Sequence, residues 1–156
     1  MLINFDKLCN SSRIWIFASD NKLETSQIEY IYSNLSEFLN EWKSHQNELI
    51  SSLKILDDFF IVIGVDENIN LASGCSIDSL FKQISDIEVE LSISLLKRTN
   101  IYCIVNNKIK LFNLLNIKKN VNQNTLFYDL TIQNKIDLKN IIKPIYKGWC
   151  KNLLEN

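Results

Sequence analysis

The sequence predicts an α/β (α+β) fold. It places a ferredoxin-like βαββαβ core over about residues 12–106 and a C-terminal β/α extension over about 107–156, in a single domain 1–156. Two observations carry this expectation. Short β-branched and aromatic runs alternate with two longer stretches in which apolar residues recur every three or four positions. No repeat, low-complexity tract or long linker divides the 156 residues.

Arg13-Ile14-Trp15-Ile16-Phe17-Ala18 reads as the first strand, ended by Asp20-Asn21. Ser26-Gln27-Ile28-Glu29 has the form of a capping box. Behind it Ile28, Ile31, Leu35, Phe38 and Trp42 line one face of a helix running to about Ser44. Leu49–Leu56 and Phe59–Val65 read as two strands of a hairpin joined at Asp57-Asp58. The second is apolar at every position, as expected of a central strand covered on both faces.

After a loop, Asp66–Gly74, Ser76 is expected to cap a second helix with Asp78 in its first turn. Its apolar stripe is Ile77, Leu80, Phe81, Ile84, Ile87 and Leu91. Ile101–Val105 reads as a fourth strand, turned at Asn106-Asn107 into Lys108–Phe112. A short helix near Leu114–Lys118, a strand at Leu126–Ile132 and a helix starting at Pro144 complete the expectation.

Composition narrows the function classes. Hydrophobic content is 46% and charged content 22%, ordinary for a folded domain. No apolar run approaches the roughly 18 residues of a membrane span, and Met1–Asp6 lacks a secretory pattern, so a cytoplasmic protein without membrane insertion is expected. Cys9, Cys75, Cys103 and Cys150 form no C-x-x-C pair and there is one histidine, His45, so neither a structural zinc site nor disulfides are expected. Ile, Asn and Lys together exceed a third of the chain, as AT-rich codons produce, so a given lysine or asparagine need not be chosen for chemistry.

Charge is uneven. Residues 1–100 carry 8 Lys and Arg against 15 Asp and Glu, and residues 101–156 carry 9 against 3. A basic segment can dock on the protein's own acidic face, on a twin subunit or another protein partner, or on nucleic acid.

The stretch least like scaffold is Ala72-Ser73-Gly74-Cys75-Ser76-Ile77-Asp78-Ser79. Free amides and the helix dipole at a helix start favour an anion and lower a thiol's pKa. A well-capped helix uses the same residue types for structure alone. With the first and third strands taken as parallel neighbours, Asp20, Asp66, Glu67 and Asp78 gather at the same edge, where carboxylates suit a Mg²⁺ or merely solvate the loops. That arrangement puts His45, at the far end of a helix of about 20 residues, roughly 30 Å away, too far to act as base for Cys75.

The three glycines, Gly64, Gly74 and Gly148, build no P-loop, no G-x-G-x-x-G and no nucleophile elbow. Lys108, Lys110, Lys118, Lys119, Lys143, Lys147 and Lys151, interleaved with Phe112, Phe127, Tyr146 and Trp149, can grip a nucleic acid strand or simply coat an aromatic cluster.

Four pieces resemble a small family of Bacteroidetes proteins commonly labelled "ABC transporter ATPase": Arg13-Ile14-Trp15-Ile16, Phe38-x-x-x-Trp42-x-x-His45, Val65-Asp66-Glu67 and, above all, the octapeptide from Ala72 to Ser79. The likeness covers roughly residues 10–95. The pattern has a glycine after the histidine, where this chain has Gln46. The resemblance implies that the Ser73–Ser79 stretch matters. It brings no established activity, and the ATPase label has no P-loop to stand on.

The expectation is therefore a non-catalytic binding or accessory protein that engages a small ligand or partner through Asp20, Asp66, Ser73, Gly74, Cys75, Ser76 and Asp78, with no metal or cofactor assigned. The alternatives are a cysteine-dependent enzyme acting through Cys75, with Asp20 or Asp66 assisting, and an RNA-associated factor using the lysine-rich C-terminal third.

Overall fold

A computed structural model describes residues 1–155, and the chain forms two compact units. The first comprises residues 1–96 and 133–136; the second comprises 97–132 and 137–156. Both are mixed α+β with antiparallel sheets. Among the described residues no helix is long and apolar enough to cross a membrane.

In the first unit, β1 (Arg13–Ala18) leads to α1 (Thr25–Glu41), then to a small hairpin, β2 (Lys43–Ser44) and β3 (Asn47–Glu48), and to β4 (Ile50–Leu56) and β5 (Phe60–Asp66). The helix α2 (Gly74–Leu91) follows. The sheet order is β1-β5-β4 and both pairings are antiparallel. Central β5 is buried from Phe60 to Val65, as a strand flanked on both sides must be. Its Ile61, Ile63 and Val65 join Ile31, Leu35 and Leu39 of α1 and Leu80, Ile84 and Ile87 of α2 in one core. Each such side chain contributes roughly 1.5–3 kcal/mol by leaving water.

Asp57 and Asp58, both at positive φ, make the tight β4–β5 turn. The cap of α1 sits earlier than the Ser26 box: Gln27 Oε1 accepts from the Glu24 amide at 2.9 Å. The helix ends at Glu41, short of Ser44, and α2 starts from Ser73, three residues before Ser76.

The direction of β5 corrects the expected layout. The crossover α1 makes β4 run parallel to β1, and the hairpin then reverses β5 against both, so Arg13 faces Val65 and Ala18 faces Phe60. The loop after β1 and the loop after β5 therefore lie at opposite ends of the sheet. The fourth strand of the expected core, Ile101–Val105, does not join this sheet. The outer edge of β1 meets residues 133–136 instead: the Ile14 amide donates to the Gln133 carbonyl and the Lys135 amide to the Ser12 carbonyl, each at 2.9 Å.

In the second unit, β6 (Ile101–Val105) and β7 (Lys108–Phe112) form a hairpin about Asn106-Asn107, both at positive φ. After a one-turn helix, α3 (Ile117–Asn120), come β8 (Leu126–Tyr128) and β9 (Ile142–Pro144), in the order β7-β6-β8-β9. Ile101, Cys103, Ile117, Phe127, Ile145 and Cys150 form its core. Pro144 ends a strand and opens only a 3-10 turn, Ile145–Lys147, where a helix was expected. The strand expected at Leu126–Ile132 stops at Tyr128, because Asp129 turns back to bind Thr131 through the threonine amide and hydroxyl.

Candidate functional site

The end of the first unit where β5 finishes is tied together by side chains. The C-cap of α1 is Trp42, a buried indole whose Nε1 donates to the Ser76 carbonyl in the first turn of α2 at 2.9 Å. Ser44, on β2, accepts at Oγ from the Ser73 amide at 3.2 Å. These two bonds hold the His45-Gln46 turn beside the start of α2. His45 and Gln46 have φ of 49° and 70°.

The Asp66–Ser73 loop spends its polar groups on its own shape. Asp66 Oδ1 accepts from the Asn68 amide at 3.0 Å and from its Nδ2 at 2.7 Å. Glu67 Oε1 accepts from the Ala72 amide at 3.0 Å. Asn70 Nδ2 donates to the Glu48 carbonyl on β3 at 3.0 Å. Ser73 is the N-cap of α2: its Oγ accepts from the Ser76 amide at 3.2 Å, and Ser76 Oγ donates to the Ser73 carbonyl at 2.8 Å.

What this frame leaves in solvent is specific. Ile69 and Leu71 are 71% and 69% exposed. His45, Gln46, Gly74, Cys75 and Asp78 are exposed beside them. A Cβ on Gly74 would meet nothing within 4 Å, so the fold does not demand glycine there.

Six of the seven residues singled out in the sequence thus meet at one end: Asp66, Ser73, Gly74, Cys75, Ser76 and Asp78. Asp20 does not. It closes the opposite end, its Oδ1 accepting from the Ser94 amide beyond the C-terminus of α2 at 3.1 Å. The carboxylates of Asp20, Asp66, Glu67 and Asp78 therefore do not gather at one edge, and among the described residues no three His, Cys, Asp or Glu could hold a metal ion. His45 reverses the other way: it lies at the Cys75 end, not the far one.

Sequence reasoning also missed Cys9, an exposed thiol. Hydrogen bonding to Ser11, through its hydroxyl and backbone, holds the Cys9 thiol below its ordinary value against desolvation and the charge of Asp66. The spacing Cys9-x-Ser11 was the only signal, and it is too common to read. Cys103, in the second unit, is pushed up to about 12 by burial and by the nearby Cys150.

The stretches Arg13–Ile16, Phe38–His45, Val65–Glu67 and Ala72–Ser79 form one network. The Arg13 guanidinium sits 4.6 Å from the Trp15 ring centroid and 3.9 Å from Glu67. Trp15 meets Trp42 edge-on at 6.2 Å, Phe38 packs on Trp42 at 5.6 Å, and Trp42 reaches Ser76. No family model, curated protein or solved structure gives a significant match to the chain.

Proposed function

We propose that the chain is a non-catalytic binding or accessory protein whose contact surface is the end of the first unit built from the His45 turn, the Asp66–Ser73 loop and the start of α2. The observation that carries this reading is the convergence of β1, the end of α1 and the β2–β3 hairpin on a loop that is internally bonded yet presents Ile69 and Leu71 to water. A loop held in shape loses little entropy on binding, and exposed apolar side chains gain by being covered. That combination favours a protein partner over a small anion. The family resemblance and a cytoplasmic setting belong to the same proposal. So does a ferredoxin-like arrangement of the first unit's strands, supported by β5 lying between the parallel pair β1 and β4.

The test is a tagged pull-down from the native host, with and without nuclease. Wild type is compared with Ile69→Asp/Leu71→Asp and with Cys75→Ala/Asp78→Ala. A defined partner recovered by wild type, insensitive to nuclease and lost in both variants, is expected. A catch indifferent to these four residues contradicts the proposal.

A second reading, a cysteine-dependent enzyme at Cys75, gains from one observation: His45 stands at the same end as the thiol. It loses Asp20, which is at the other end, and Asp66, whose Oδ1 is spent on Asn68. Alkylation of Cys75 whose rate does not change in His45→Ala, across pH 5 to 9, sinks it.

A further inference from the structure

The charge of the chain divides where its contacts divide. The first unit carries seven Lys and Arg against fifteen Asp and Glu, net −8, and the second carries ten against three, net +7. A formal +7 within 56 residues makes a field that draws polyanions.

We propose that the second unit binds single-stranded nucleic acid along a surface that joins an asparagine-lined groove to the exposed rings of Tyr146 and Trp149. This proposal is independent of the reading of the first unit. Three observations choose this polyanion among others.

First, the C-terminal turns alternate between core and solvent. Ile145 and Cys150 are buried, whereas Tyr146 and Trp149 are 49% and 47% exposed, with Lys147 and Lys151 exposed beside them. Gly148 makes this possible, because a Cβ there would lie 2.0 Å from the Phe127 ring; only glycine lets the chain ride so close to the core while its neighbours face out. The Lys147 ammonium stands 5.7 Å from the Tyr146 ring centroid, so charge and stacking face are presented together.

Second, the unit has a groove of about 580 Å³ lined by Asn106, Lys119, Asn120, Asn122, Asn124 and Thr125, with Ile104, Val105, Val121 and Leu126 as its apolar wall and no carboxylate. Carboxamides offer a donor and an acceptor side by side, which suits the edges of unpaired bases.

Third, groove and rings are linked. Gln123, between the groove residues Asn122 and Asn124, accepts at its carbonyl from the Tyr146 amide at 3.0 Å and donates from Nε2 to the Lys151 carbonyl at 2.9 Å. An acidic protein would use the lysines, but it has no planar bases to stack on the two rings and pair with the carboxamide groove. A duplex hides the base faces that rings stack on.

The experiment is fluorescence anisotropy of the full chain with a labelled 12-nucleotide poly(U) RNA, a duplex of equal length and polyglutamate, between 50 and 200 mM salt. We expect the single strand to bind at least tenfold more tightly than the duplex or polyglutamate. With Lys119, Lys147 and Lys151 engaged, log K against log salt should fall with a slope of about −2. Tyr146→Ala and Trp149→Ala should each weaken binding about tenfold with the slope unchanged, and Trp149→Phe should restore most of the loss. Lys147→Ala/Lys151→Ala should flatten the slope. Equal binding of polyglutamate, indifference to both aromatic substitutions, or no binding at 50 mM salt overturns the proposal; the first of these identifies an acidic protein surface as the partner. Circular dichroism melts of each variant separate a lost contact from a lost fold.

Discussion

Gln46 illustrates how much one residue can say. Its φ of 70° lies in the left-handed region, where a side chain other than glycine costs free energy. Gln46→Gly is expected to stabilise the chain by about 0.5–1 kcal/mol, read as a raised midpoint in urea. An unchanged or lowered midpoint contradicts the turn geometry.

Asp129 has a different cost structure. Burial pushes its carboxyl up, but the hydrogen bonds from Lys143 Nζ and Thr131, together with the lysine charge, outweigh burial and hold it below the ordinary carboxylate value. A carboxyl depressed in the fold contributes stability above its unfolded pKa of about 3.9 and loses it as pH falls through the folded value. Asp129→Asn should therefore cost roughly 2 kcal/mol at pH 7, less than breaking a fully buried pair because Lys143 keeps 23% exposure, and the gap to wild type should narrow as pH falls below the ordinary carboxylate value. A gap that stays constant to pH 2 argues against the pair. The thiols divide in the same residue-level way: Cys9 and Cys75 should be alkylated in the native protein, and Cys103 and Cys150 only after unfolding. Mass mapping after iodoacetamide reads this directly.

Among elements, those with strong periodicity were legible. Both helices, the three strands of the first sheet and the β6–β7 hairpin lie within a few residues of where their patterns put them. Caps were less legible, because Ser73 and Ser76 are equally good by type, and it is the Ser76 amide donating to Ser73 Oγ that makes Ser73 the cap and puts Ser76 inside α2. Ser73→Ala should cost about 1 kcal/mol, and Ser26→Ala, off the true cap of α1, only a few tenths. Reversed sizes would return the caps to the expected positions. The β2–β3 hairpin was not legible at all: its strands are two residues long and His45-Gln46 carries no Asn-Gly signal. The late turns misled for a related reason. Pro144 fits the start of a helix, but too little apolar periodicity follows it to propagate one.

For the whole molecule, the largest departure was a direction. The crossover helix and the Asp57-Asp58 hairpin were both readable, and together they require β5 to run against β1. Taking the two as parallel put Asp20 with Asp66 and sent His45 away, and both placements reverse in the structure. Six of the seven candidate residues still meet, because they lie on one continuous stretch from the end of β5 into α2. The division into two units of opposite charge was visible as an asymmetry between halves. Its boundary was not, because residues 133–136 return to the first unit through backbone bonds that no side-chain pattern announces.

The central claim is that the His45 turn and the start of α2 share one end of the first unit. A nuclear Overhauser experiment on isotope-labelled protein tests it most directly. Cross-peaks from the Trp42 indole N–H to Ser76, and between Ser44 and Ser73, are the expected result. Cross-peaks from Asp20 or Asn21 to Ser73–Ser76, with none from Trp42, would restore the parallel arrangement and remove the basis for a binding surface at this end.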